Sequence, residues 1–232
     1  MLILSIDTAL DACAAAVLDT SAGGTIAQES LPMKRGHAEA LMPLIARVMK
    51  ASGVPFAALD RVAATTGPGS FTGLRVGLSA ARGIALAAGK PVVGVTTLTA
   101  FAAPIVSENS EHPVISAIDA RHDHVYFQAL GGDGRSLIKP KVAPIAEALD
   151  AARFGSPHLV GNAAKILAER WVAEVPPFKV DQQAAPDIAW VAWLGAAVNP
   201  EGSPARPYYL RAPDVKPPRD PLAGASPPST SS

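Results

Sequence analysis
The chain has 232 residues, is nearly half apolar, and balances 20 basic against 20 acidic side chains. Zero net charge argues against a strongly nucleic-acid-binding surface on this chain alone, and one cysteine, Cys13, excludes an intrachain disulfide or a cysteine-rich metal site. The length suits one large domain or two small lobes; with no basic-then-apolar leader and no unbroken run of about eighteen apolar residues, a soluble cytoplasmic protein is expected.

Taken in order, Leu2–Ile6 reads as a buried strand, and residues Asp7 to Asp11 as the turn that ends it. Ala12–Leu18 returns as a second strand, with Cys13 as a small core residue, and Thr25–Ser30 as a third. A helix is expected over His37–Lys50, where Leu41, Leu44, Ile45, Val48 and Met49 make one apolar stripe. Pro43 must kink it or lie in its first turn, and Ser52-Gly53 ends it. Arg61–Thr66 is the next strand, and a Gly- and Pro-rich turn then launches a helix from Phe71 to about Ala88. Pro91–Thr96 is a fifth strand, followed by a short helix from Thr97 toward Ala103. Hairpins first and crossovers afterwards predict an α/β fold with a mixed sheet.

The second half starts the same way. Ile3-Leu4-Ser5-Ile6-Asp7 lies on Ile115-Ser116-Ala117-Ile118-Asp119, and at the same offset Asp11 falls on Asp123 and Leu18 on Leu130. This repeat suggests a duplicated, hairpin-based lobe. Strand-like Leu137–Val142, a helix over Ile145–Arg153, a short strand His158–Val160 and a helix over Ala163–Trp171 follow. The last helix is Asp187–Val198, capped by Asp187 and stopped by Asn199-Pro200. The expected division is a first lobe at 1–103, a second at 104–211, and a disordered Pro/Ser-rich tail at 212–232.

Four features invite chemistry. The stretch Gly67-Pro68-Gly69-Ser70 opens a helix, where free N–H groups can hold an anion. No Gly-Lys-Ser/Thr closes it as a P-loop, and Pro68 and Thr72 break a nucleophile elbow, so a tight strand-to-helix turn is the equal alternative. Asp7 and Asp119 end equivalent strands, where a carboxylate can activate water or cap its own turn. His37-Ala38-Glu39 lacks a histidine one turn on, since Leu41 stands there, and reads as a polar helix start. His122-Asp123-His124 could share a metal only if both rings met on one face; a surface hairpin turn is the stronger reading. In the Phe71 helix, Gly73, Gly77 and Ala81 form a small-residue face for a close neighbour, either the His37 helix or another subunit. Arg75 and Arg82 share another face, open to solvent or to an acidic partner.

Ile6-Asp7-Thr8, His37-Ala38-Glu39 with Leu41 and Pro43, and above all residues 67–77, Gly-Pro-Gly-Ser-Phe-Thr-Gly-Leu-Arg-Val-Gly, resemble the TsaB (YeaZ) family. Gly94-Val95-Thr96-Thr97-Leu98, Asp119-Ala120-Arg121 and Pro207-Tyr208-Tyr209-Leu210-Arg211 continue the match in one order. The resemblance implies a duplicated fold of the actin, sugar-kinase and Hsp70 class (ASKHA). It implies a non-catalytic scaffold for threonylcarbamoylation of the adenosine beside the anticodon of ANN-reading tRNAs. The implied partners are a TsaD-type transferase, to which it is a paralogue, and a TsaE-type ATPase. A homodimer in isolation is left open, and tRNA contact is indirect or weak. The family pairs through the two first-lobe helices, which points to Leu41, Ile45, Gly73, Arg75, Gly77, Ala81 and Arg82. No catalytic, cofactor or metal residue is expected. Nucleotide-binding members of the fold carry a glycine after Asp-x in the first turn and Asp7-Thr8-Ala9 does not, while Leu41 replaces the catalytic relative's second histidine. The alternative is an ATP-dependent kinase or ATPase of the same fold; a metallopeptidase would need a ligand set that the sequence does not show.

Overall fold
The computed structural model describes residues 1–108, 111–172 and 174–210, so the tail expected at 212–232 lies outside the described residues. Strands β1 (Leu2–Asp7), β2 (Ala12–Asp19) and β3 (Gly24–Pro32) form an antiparallel meander. Helix α1 (His37–Ser52) crosses to β4 (Arg61–Gly67), and α2 (Phe71–Ala88) crosses to β5 (Val92–Thr96). β4 joins β1 in parallel and β5 joins β4, giving the mixed order β3-β2-β1-β4-β5. Pro43 sits beyond the first turn of α1, which runs on to Ser52 and ends at Gly53 in the left-handed conformation.

Helix α3 (Thr97–Ser107) leads to a second sheet of β6 (Val114–Arg121), β7 (His124–Leu130), β8 (Ser136–Pro144), β9 (His158–Gly161) and β10 (Lys179–Gln182). Its order, β8-β7-β6-β9-β10, repeats the first. Helices α4 (Ile145–Leu149) and α5 (Ala164–Glu169) belong to the second copy, and α6 (Ile188–Ala197) follows β10 and returns to the first sheet. The Ile3–Asp7 and Ile115–Asp119 overlay is therefore structural, because β1 and β6 are the central strands of equivalent sheets. Asp7 pairs with Ala14, and Asp119 with Val125; an irregularity at Asp119/Arg121 displaces the register by one residue. Two sheets of one strand order make this a duplicated α/β architecture, of the kind the resemblance implies.

Alternation places Leu4 and Ile6 of β1 under α1 and α2, with Leu41, Leu44, Ile45, Leu78 and Ala81. Ile3 and Ser5 face the other way, toward α6, which comes from the end of the chain. Ser5 Oγ donates to Ile188 O at 3.1 Å, and Arg61 Nη1 donates to Gly195 O and Val198 O at 2.7 Å each. A guanidinium on the last carbonyls of a helix satisfies acceptors that the helix cannot. Beyond α6, Gly94 N donates to Ser203 O and Tyr208 N to Thr66 O, both at 2.8 Å, so residues 203–208 strap the first sheet.

Packing runs across the expected lobe division. A cut at 103/104 severs α3, whose Phe101 and Ile105 pack with Val114 and Ile118 of β6. Residues 188–208, assigned to the second lobe, pack on the first. The helix expected to Arg153 is α only to Leu149, and continues as a 3-10 turn over Asp150–Phe154.

Candidate partner face and inter-lobe cleft
Asp7 ends β1 fully buried. Its Oδ1 accepts from Ala9 N at 3.0 Å and from Thr65 Oγ1 at 2.5 Å, so it caps its own turn. Its Oδ2 has no hydrogen-bond partner among the described residues. Burial pushes the carboxyl above its ordinary range, against the pull of Thr65 and Ala9.

The turn beyond Asp7 is clamped by the Gly-rich stretch. Ser70 N donates to Ala9 O at 2.7 Å, and Thr8 Oγ1 donates to Gly73 O at 2.7 Å. A Cβ on Gly69 would collide with Ala9 O, and one on Gly73 with Thr8 O. Ser70 Oγ accepts from Gly73 N at 3.2 Å and caps α2. The glycines thus serve the chain's own backbone, and the tight-turn reading of residues 67–73 describes this geometry.

A cleft of about 660 Å³ opens between the lobes, lined by Leu10, Lys34 and His37 on one side and Asp119, Arg121 and Tyr126 on the other. His37 Nε2–H donates to Leu10 O at 3.0 Å and ties the start of α1 to the first turn. Asp119 is exposed; its Oδ1 accepts from Arg121 N at 2.7 Å, and its own N–H donates to Asn162 Oδ1 at 2.8 Å. Asp7 and Asp119 hold equivalent places on β1 and β6, although β6 runs on to Arg121, and their surroundings are opposite, one dry and one wet. The His122 region is a tight turn, with positive φ at Arg121, His122 and Asp123. His124 Nδ1–H donates to His122 O at 2.6 Å, and Asp123 pairs with Arg170 at 2.9 Å. Among the described residues, no group of three or more His, Cys, Asp or Glu is placed to hold a metal.

Outward from the sheet, α1 and α2 present exposed Met42, Thr72, Arg75 and Ser79. A shallow groove of about 440 Å³ runs along α2 past Phe71, Thr72, Arg75, Val76 and Ser79. Arg75 lies over the Phe71 ring, 3.8 Å from its centroid, and Phe71 stacks on Tyr209 with centroids 5.8 Å apart. Arg82 Nε donates to Ala205 O at 2.9 Å and holds the strap against α2.

The family model for tRNA N6-adenosine threonylcarbamoyltransferase, TsaD, matches residues 20–185. The tRNA threonylcarbamoyladenosine biosynthesis protein TsaB of Escherichia coli K12 is 33% identical over 151 residues, covering 61% of this chain and 64% of that protein. The Haemophilus influenzae protein of the same name is 36% identical over 125 residues, covering 54% and 52%. A crystal structure from Pseudomonas aeruginosa, described as similar to peptidase YeaZ, superposes with a TM-score of 0.74 at 29% identity, covering 90% of this chain and 99% of that one. The chain belongs to the TsaB/YeaZ family. Its matches span 52–64% of the length of the two TsaB proteins.

Seen as a TsaB/YeaZ-family chain, the seven residues expected at a partner face divide in two. Leu41, Ile45, Gly73, Gly77 and Ala81 are buried inside the chain. In the small-residue face, Gly73 and Gly77 lie against Thr8, and Ala81 packs in the cluster that holds the α1 stripe. These five lie beneath the outward faces of α1 and α2, where they seat the helices. Arg75 and Arg82 are exposed. Sequence reasoning missed Met42 and Phe71, 51% and 44% exposed. The available signal was phase: Met42 is an apolar residue that falls off the buried stripe of its helix. Cys13 is buried as expected, its thiol pushed up to about 11 chiefly by that burial.

Proposed function
We propose that this chain is a non-catalytic scaffold in the synthesis of threonylcarbamoyladenosine on ANN-reading tRNAs. It pairs with a TsaD-type transferase, is acted on as an assembly with a TsaE-type ATPase, and works in the cytoplasm. The observation that carries the reading is the closed first turn. In a phosphate-binding member of this fold, the backbone there must stay open to an anion. Here the Ala9 N–H is taken by Asp7 Oδ1 and the Ser70 N–H by the Ala9 carbonyl, and the Thr8 carbonyl lies against Gly73. Pairing is supported by the exposed apolar and small residues of α1 and α2, which suit a helical partner more than water. The pathway comes from the names of the relatives. No described helix is long and apolar enough to cross a membrane.

Mixing the chain with the transferase from the same source tests the proposal. Co-elution as one complex, with tRNA modification by the transferase dependent on this chain, is expected. Met42→Asp combined with Ser79→Glu keeps the fold and breaks the complex. ATP turnover by the isolated chain, with tight binding by calorimetry, would favour the kinase or ATPase reading instead.

A further inference from the structure
Although the chain is neutral overall, its charge is segregated. None of the 18 residues of α2 is acidic, nor is any residue from Ser203 to Leu210. These two segments carry Arg75, Arg82 and Arg206, all exposed and none in an ion pair among the described residues. Three exposed aromatic rings accompany them: Phe71, Tyr208 and Tyr209 at 44%, 38% and 43%. The rings are ordered. Arg75 covers one part of Phe71, Tyr209 stacks on it, and the strap beneath is pinned by Arg82 to Ala205 O and by Tyr208 N to Thr66 O.

This edge is separate from the face turned toward α1. Val76, Ala80 and Ile84 pack against the core cluster that contains the α1 stripe, and Thr72 and Val76 share a groove with Glu39 of α1. Phe71, Arg75 and Arg82 follow the helical repeat along the strap side. A partner seated on Met42 and Ser79 meets this edge at Phe71 and Arg75, which line the groove along α2, and leaves Arg82, Arg206 and Tyr209 outside that groove.

We propose that the α2–strap edge binds single-stranded RNA, with an unpaired base stacked on Tyr209 and phosphates met by Arg75, Arg82 and Arg206. Ordered aromatic rings beside unpaired arginines are what sequence-tolerant single-strand binding requires. An acidic protein surface would use the arginines and have no need of the rings. The proposal rests on the reading above for one point only, that the RNA is a tRNA loop. Three cations give weak binding, which fits a scaffold that steers a substrate held mainly by its partner.

The test is fluorescence anisotropy with the full chain, alone and mixed with the transferase. The probes are a labelled anticodon stem-loop, a blunt duplex and polyglutamate. The wild type is expected to prefer the stem-loop, with a log–log salt slope of about −2 for three phosphate contacts. Arg75→Gln with Arg206→Gln flattens that slope by about 1.4. Tyr209→Leu weakens stem-loop binding roughly fivefold or more and leaves duplex binding unchanged; Tyr209→Phe restores it. Thermal midpoints confirm folding, and Arg206→Gln alone serves if the double variant does not fold. Equal affinity across wild type and variants, no preference for the stem-loop over the duplex, or preference for polyglutamate overturns the proposal. Size exclusion with the transferase separates the two ideas: loss of pairing by the wild type fells the scaffold reading, whereas intact pairing with unchanged RNA affinity in the variants fells only this one.

Discussion
The Ser70 backbone N–H donates to the Ala9 carbonyl at 2.7 Å, and that bond joins the two most distinctive stretches of the chain. It couples the end of β1 to the start of α2. A feature that reads as an anion cradle in one dimension is a backbone clamp in three.

The clamp makes Gly73 irreplaceable. A Cβ there meets the Thr8 carbonyl, and neither backbone can yield without breaking the Thr8–Gly73 bond. Gly73→Ala should destabilise the fold by at least about 1–3 kcal/mol. Gly83, in the same helix, has nothing within 4 Å of its added Cβ. Gly83→Ala should stabilise by about 0.4–1 kcal/mol. Urea unfolding of the pair checks both signs.

Asp7 gives a pH signature. Its folded carboxyl titrates above the ordinary value near 3.8, because burial disfavours its charge. The unfolded chain therefore ionises first as pH rises. The Asp7 contribution is greatest below about 3.8 and is lost as pH climbs toward the folded value. Asp7→Asn should remove that fall in stability with rising pH, as read from thermal midpoints across the acid range.

His158 works in the opposite sense to an ion-paired histidine. Burial, then Lys179, holds it below its ordinary 6.5, against Asp181 and Glu108. The unfolded chain takes up the proton first as pH falls. The contribution is whole above about 6.5 and declines below it, until the folded group also titrates. Replacing His158 by Phe should flatten the profile between neutral and mildly acidic pH.

Arg61 tests the exchange of elements between lobes. It is nine-tenths buried and bonds the carbonyls of Gly195 and Val198 at the end of α6. Arg61→Met leaves those acceptors unpaired and should cost about 2–3 kcal/mol. Hydrogen exchange should then rise in α6 and β1 together, because α6 covers the first sheet.

Much of this was legible from residue order. The Ile-Asp repeat marks β1 and β6 because central strands carry apolar runs broken only by a small serine, and the α1 stripe is legible because one face of that helix is buried. Pattern did not reveal which way Gly73 and Gly77 face, since a small-residue face looks the same against a neighbour's helix or its own chain's turn. It also missed β10: Lys179–Gln182 is a largely exposed edge strand that exists through parallel pairing with β9. The return of α6 to the first sheet was hidden because α6 is apolar all round, so sequence distance was the only guide to its place. The exposed Phe71–Tyr209 stack joins residues from distant parts of the chain, and neither is marked by its local pattern.

The proposed role is one of pairing rather than chemistry of its own. Its most direct test is size exclusion coupled to light scattering with the TsaD-type transferase, comparing wild type with Met42→Asp/Ser79→Glu and assaying modified nucleoside in the same fractions. The account predicts a heteromeric complex and modified tRNA for the wild type, with both lost in the folded variant. Modification that persists when the complex is absent, or nucleotide turnover by the chain alone, would contradict it.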